Sequence, residues 1–231
     1  MRIADMNWMQ VEEYLTRDDR IVLPIGSTEQ HGYLSLATDV ILAERVSVEA
    51  AEPLGVPVMP VLPFGIAPGF TSYPGTVSLQ TETLVAVLTD ALDVLHAQGF
   101  RRFLVVNGHG GNTRVEEPLA AWAAARDGAR LRFHSWYAGD QASAAAELLW
   151  EYPTHANWFE NFPWTRLASV AMPAEDKPVP EIDEFGDPER VREILGDGTF
   201  GGAYERPDEE MLRLWAVAVA EVRGLIATWP D

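Results

Sequence analysis

Two short stretches, RIVLPIG (Arg20 to Gly26) and RFLVVNG (Arg102 to Gly108), are nearly unbroken apolar runs. A strand with one face in water alternates apolar and polar residues, so a strand apolar at almost every position must be covered on both faces. Between the two runs lies TETLVAVLTDALDVLHAQGF. There Leu84, Val87, Leu88, Ala91, Leu92 and Leu95 recur at helical spacing, and Gly99 marks a stop. Buried strands separated by amphipathic helices confine the chain to the α/β class, with helices layered on a mainly parallel sheet.

Two more runs read as strands, VPVMPVLPF (Val56 to Phe64) and RLRFHSWY (Arg130 to Tyr137). Pro57, Pro60 and Pro63 argue against a central position for the first of them, because proline cannot donate to a ladder. Further helices are expected from Thr38 to about Leu54, from Arg114 to Arg126, and after Pro207. In the last of these, Asp208, Glu209 and Glu210 suit the positive end of a helix dipole, and Leu212, Trp215, Ala216, Val219 and Val222 form an apolar face. The segment 173–202 breaks the rhythm with proline, glycine and acid, and is expected to be an irregular excursion carrying one short helix near Pro188 to Leu195. A lid, a contact surface and a solvated insertion all fit such a segment. The 231 residues suit one domain spanning 1–231.

With 35 acidic against 17 basic residues, the formal charge is −18. Such a surface repels phosphate backbones and anionic bilayers, which argues against nucleic-acid and membrane partners. The absence of cysteine removes disulfides, thiolate metal ligands and cysteine nucleophiles. The opening MRIADMNWMQVEEYL lacks the basic start and apolar run of a signal peptide, and a cytoplasmic location is expected.

In open α/β sheets ligands gather beyond the carboxyl ends of the strands. GSTEQHGYLSLATD follows the first strand and NGHGGN follows the third, so both open on the same edge of the sheet. Glu29 and His31, two apart on extended chain, face one side. Asp39 lies at a helix start, where the dipole favours an ionised carboxylate. His109 is flanked by glycines that permit close backbone approach. Two readings stand: a group of metal ligands, or loop residues hydrogen-bonding one another. A third constellation, THANWFENFPW, holds His155 and Glu160 among aromatic residues. It is either a pocket wall, with Trp136, Trp158 and Trp164 as candidate lining residues, or an aromatic contact surface. Ser27 lacks a nucleophile-elbow pattern.

Taken in order, E-x-H-G…T-D, P-G-T-x-S-L (Pro74 to Leu79), N-G-H-G-G-N (Asn107 to Asn112) and H-A-x-x-x-E (His155 to Glu160) resemble the creatininase family, as does the late stretch GDGTFGGAYERPDEEM. The resemblance implies a three-layer α/β/α sandwich with a mainly parallel central sheet, and two divalent metal ions per subunit. Zinc is the first expectation, and nitrogen and oxygen ligands also suit manganese or iron. It implies that Glu29 and His109 complete one ion, that His31 serves the other, and that Asp39 bridges them. Creatininases proper take a further ligand from a glutamate two places after the N-G-H histidine. Gly111 stands there in this chain, and the resemblance makes Glu160 its substitute at the second ion. Asn157, Trp158 and Asn161 also depart from the usual H-A-G-E-x-E-T form.

The expected activity is hydrolysis of a C–N amide-type bond in a small molecule by a metal-bridging hydroxide, with His155 shuttling a proton to the leaving nitrogen. A peptidase or formamide deformylase of the same family is the nearer alternative, and a non-catalytic metal-stabilised binding or assembly protein the more distant one. A homo-oligomer, of which a hexamer is one form, is the partner the resemblance adds.

Overall fold

A computed structural model describes residues 1–149, 153–182 and 185–229. Three parallel strands, β1 (Arg20–Ile25), β2 (Arg102–Asn107) and β3 (Arg130–Ser135), form a sheet in that order. Arg20 pairs with Arg102 and Arg102 with Arg130, and the ladders run in step to Ile25, Asn107 and Ser135. The three strands therefore end level, and the loops that follow them emerge side by side.

The continuous apolar runs divide by alternation, as two covered faces require. Ile21, Leu23, Ile25, Phe103 and Val105 enter a core shared with α3 (Thr81–Gln98) and α4 (Glu116–Ala124). Val22, Leu104 and Val106 enter the opposite core, shared with α2 (Thr38–Ala51), α5 (Asp140–Leu149) and α7 (Asp208–Ala227). This is the expected α/β/α sandwich. An additional helix, α1 (Trp8–Leu15), starts at a capping box in which Asn7 and Gln10 satisfy each other's backbone N–H groups.

The proline-rich run 56–64 lies along the outer edge of β1, joined by isolated bridges at Val22–Val58 and Ile25–Leu62. Met59 and Leu62 donate N–H groups to β1, while Pro57, Pro60 and Pro63 have none to give. Its edge position is the one that the prolines allow.

The excursion 173–202 carries α6 (Pro188–Leu195), capped by Asp187. Val191 and Leu195 are buried against Ala67 and Phe70, so the segment is packed rather than wholly solvated. Among the described residues no helix is long and apolar enough to cross a membrane.

Candidate metal centre

The loops after β1 and β2 converge on the first turn of α2. Gly108 makes this possible, because a Cβ there would overlap the Asp39 carbonyl oxygen. Glu29, His31, Asp39, His109 and Glu160 are all buried, in a protein where buried charge is rare without a partner. His31 Nε2 lies 3.0 Å from Asp39 Oδ1 and 3.6 Å from Glu160 Oε2. His109 Nδ1 lies 3.1 Å from Glu29 Oε1 and 3.1 Å from Asp39 Oδ2. The two oxygens of Asp39 therefore face two different donor groups, one made with His31 and Glu160, the other with Glu29 and His109.

The outward nitrogens of both histidines are spoken for. His31 Nδ1 lies 3.2 Å from the Glu29 carbonyl oxygen, and His109 Nε2 lies 2.9 Å from that of Ile66. A carbonyl only accepts, so each ring donates there and turns its other nitrogen toward the carboxylates. Ser27 Oγ donates to Glu29 Oε2 at 2.9 Å. Glu29 Oε1 and Asp39 Oδ2 are buried with no hydrogen-bond partner. Lone pairs aimed at common points, with orphaned acceptors among them, fit divalent cations.

Without a cation, protons take that role. Burial opposes charge on His31, but the Asp39 and Glu160 carboxylates outweigh it and raise its pKa to about 10. His109 is raised well above its ordinary value, with Glu29 and Asp39 overcoming burial. Asp39 is held below the usual carboxylate range, because both histidines outweigh its burial. Burial, only partly offset by His31, raises Glu160 to about 7.

Gly111 has a physical reason to be glycine. A Cβ would overlap the Ile66 carbonyl oxygen, the group that holds His109 Nε2. Where the resemblance places a glutamate in relatives, this chain places a main-chain carbonyl from another loop. Glu160 reaches the cluster from a 3-10 turn, Trp158–Glu160. Ala156 is the one non-glycine with positive φ among the described residues, at 60°, and that conformation aims its N–H at Glu160 Oε2, 2.6 Å away. Asn157 accepts the N–H of Phe159 and donates to the Gly201 carbonyl, and Asn161 donates to that of Tyr204. These two departures from the family form brace the turn.

His155 stacks on Phe70 (centroids 4.7 Å, 14° between planes), and its Nδ1 lies 3.8 Å from Glu29 Oε1. Its Nε2 lies 2.8 Å from the Gln30 side-chain nitrogen and 3.1 Å from the Gln30 carbonyl oxygen. The first contact asks that nitrogen to accept and the second asks it to donate, so Gln30 offers a partner for either tautomer. Burial, reinforced by the nearby His31 charge, keeps the ring's pKa well below its ordinary value.

A cavity of about 950 Å³ opens onto the cluster. Its walls include Phe70, Tyr137, Phe159, Phe185 and Phe200. The three tryptophans expected there do not line it. Trp136 and Trp158 are fully buried in the core beneath the site, and Trp164 packs half-buried against that core under the Arg45 guanidinium. The apolar interior absorbed the largest aromatic surfaces, and smaller phenyl rings were left to face the cavity. Phe185 and Phe200 come from the excursion, so part of it covers the site.

Sequence reasoning weighed Ser27 only as a nucleophile and missed Gln30, Ile66, Phe70 and Tyr137. Ser27 and Gln30 lie on either side of Glu29 in the opening motif, and Tyr137 follows β3 at the level where the loops after β1 and β2 carry the candidate ligands. Those positions were the available signals.

A family model described as creatinine amidohydrolase matches residues 4–226. Among curated proteins, the creatinine amidohydrolase of Pseudomonas putida is 33% identical over 118 residues, covering 48% of this chain and 45% of that protein. The mycofactocin precursor peptide peptidase of Mycolicibacterium smegmatis is 37% identical over 108 residues, covering 44% and 42%. The 3-dehydro-scyllo-inosose hydrolase of Thermotoga maritima is 32% identical over 107 residues, covering 46% and 34%. The matched stretch thus spans less than half the length of each of these relatives. Among solved structures, a creatinine amidohydrolase (creatininase) superposes with a TM-score of 0.83 at 24% identity, covering 98% of this chain and 96% of its own. A zinc–zinc form of a creatininase mutant (TM-score 0.82, 24% identity, 97% and 96% covered) and a manganese creatininase (0.80, 24%, 97% and 96%) share the fold.

Proposed function

Because the chain belongs to the creatininase family, we propose that it is a dinuclear-metal-dependent hydrolase that opens a C–N amide-type bond of a small molecule. The observation that carries this reading is Asp39, whose two oxygens face two separate donor groups across one buried carboxylate. Glu29, His109 and Asp39 would hold one divalent ion, and His31, Glu160 and Asp39 the other. Zinc and manganese, the metals named for the related structures, both suit such nitrogen and oxygen donors. Ions held there supply Lewis acidity and activate water near neutral pH.

The chain's own residues do the rest. Ser27 and the Ala156 N–H orient the two glutamates, and the Glu29 and Ile66 carbonyls orient the two histidines. Phe70 fixes the plane of His155. With its Nε2 proton on the Gln30 carbonyl, the ring offers a bare Nδ1 to the cavity, can take a proton there, and returns it to the leaving nitrogen. The phenyl walls exclude water from that transfer.

A second reading within the family is a peptidase or deformylase. The cavity of about 950 Å³ is roomy for a single small ring, and one relative is named a peptide peptidase. The deciding experiment measures metal per subunit and then turnover of creatinine, N-formyl compounds and short peptides. Two bound ions and turnover of an amide are expected. Two ions with no turnover of any of them would favour the non-catalytic alternative, and fewer than two would overturn the dinuclear assignment.

A further inference from the structure

Tyr137 lies two residues beyond the end of β3 and lines the same cavity as Glu29, Asp39, His109 and Glu160. Its hydroxyl sits in a defined hydrogen-bond environment. The amide of Asn107, the last residue of β2, is locked: its Oδ1 accepts the His109 N–H at 3.0 Å, and its Nδ2 donates to the His109 carbonyl at 2.7 Å and to Ser135 Oγ at 3.0 Å. That Nδ2 has two hydrogens: one serves the His109 carbonyl, and the other is shared between Ser135 Oγ and the Tyr137 hydroxyl oxygen, 3.3 Å away. An amide nitrogen only donates, so the phenol oxygen is an acceptor on that side. Among the described residues, no carbonyl or carboxylate takes the phenol's own hydrogen. A hydroxyl whose oxygen accepts from Asn107, and whose hydrogen no carbonyl or carboxylate of the described residues takes, is a donor available to the cavity beside the candidate ligands.

We propose that Tyr137 is a catalytic residue, donating its O–H to the oxygen of the scissile carbonyl as negative charge develops there. This rests on the hydrolase reading above. The O–H bond stays intact and no proton is transferred; the donor strengthens its hydrogen bond as the tetrahedral oxyanion forms. Burial, reinforced by the Asp39 and Glu160 carboxylates, pushes the phenol up to about 12, so it keeps its proton throughout the neutral range. The His109 loop and Tyr137 are tied together through Asn107, which holds donor and metal ligand in one frame. Gly110, between them, leaves the approach open, since even an added Cβ would stay 3.9 Å from the hydroxyl.

The test is Tyr137→Phe, which keeps the ring packing and removes the donor. In zinc-loaded protein, inorganic phosphate serves as a tetrahedral oxyanion probe by calorimetry. The variant should retain the wild-type metal content and bind phosphate at least about ten-fold more weakly. With whichever amide the substrate panel identifies, kcat should fall about 10²–10³-fold, the usual loss for one oxyanion donor, with KM changing far less. Unchanged phosphate affinity and unchanged kcat would overturn the assignment. Should the phenylalanine variant fold poorly, 3-fluorotyrosine at position 137 keeps the hydroxyl and makes it more acidic. It should tighten phosphate binding, and no change would count against the proposal. Failure of the dinuclear reading is distinguishable, because wild-type protein would then lack the two ions.

Discussion

His109 donates its Nε2–H to the Ile66 carbonyl oxygen, 2.9 Å away, and so keeps Nδ1 directed at Glu29 and Asp39. Gly111 gives that carbonyl its room. In Gly111→Ala the added methyl overlaps the carbonyl, and either Ile66 or His109 must move. A loss of about 1–3 kcal/mol is expected, the usual cost of overpacking, together with weakened binding of one ion. Thermal melts and metal analysis check both. A variant with wild-type stability and two ions would show that Ile66 does not set the ring.

The charge pattern predicts a pH dependence that metal reverses. In unfolded chain His31 titrates near 6.5, whereas in the metal-free fold it is raised to about 10. Stability from its pairing with Asp39 and Glu160 is fully present below the unfolded value and is lost as pH rises toward the folded one. Glu160, raised to about 7 mainly by burial, acts in the same direction at lower pH. The Tm of EDTA-treated protein should therefore fall from pH 6 to pH 10. Zinc should raise Tm more at pH 9 than at pH 6, because ions then replace protons that are no longer held. A flat or rising Tm for the metal-free protein would contradict the assignment.

Ala156 holds a left-handed conformation in order to aim its N–H at Glu160. An L-residue pays about 1–2 kcal/mol for that. Ala156→Gly should be neutral or stabilising with metal content intact, while Ala156→Val should destabilise and loosen the ion served by Glu160. Equal behaviour of the two variants in denaturant titrations would remove any role for the backbone angle.

Trp158 belongs to the core rather than the cavity. Trp158→Phe should lower Tm without altering KM for any substrate found. A changed KM at unchanged stability would restore the pocket role that its neighbours in sequence suggest.

His155→Ala should retain both ions and lose about 10²–10⁴-fold in kcat, the range for a general acid–base group. Wild-type turnover in that variant would remove the proton shuttle from the scheme.

Much of this was legible in the chain. Unbroken apolar runs located β1 and β2, the leucine periodicity of α3 ends at Gly99, and the acidic start of α7 follows Pro207. The five candidate ligands were legible because each belongs to a short motif at a strand end or turn, where backbone geometry constrains sequence. The short, alanine-rich α5 was not singled out. Trp158 misled because neighbours along a tight turn diverge in space: Glu160 enters the cluster while Trp158, two residues earlier, enters the core. Ile66 could not be foreseen from composition, since it acts through its main chain.

The three strands end in register, and the loops after β1 and β2 close on the first turn of α2, with Glu160 arriving from far along the chain. The five candidate donors are spread from Glu29 to Glu160, so no short fragment holds them all. On the proposed two-ion reading, metal affinity is therefore a readout of global folding: whatever loosens the parallel ladder, however distant from the candidate ligands, should appear first as a weaker grip on the ions.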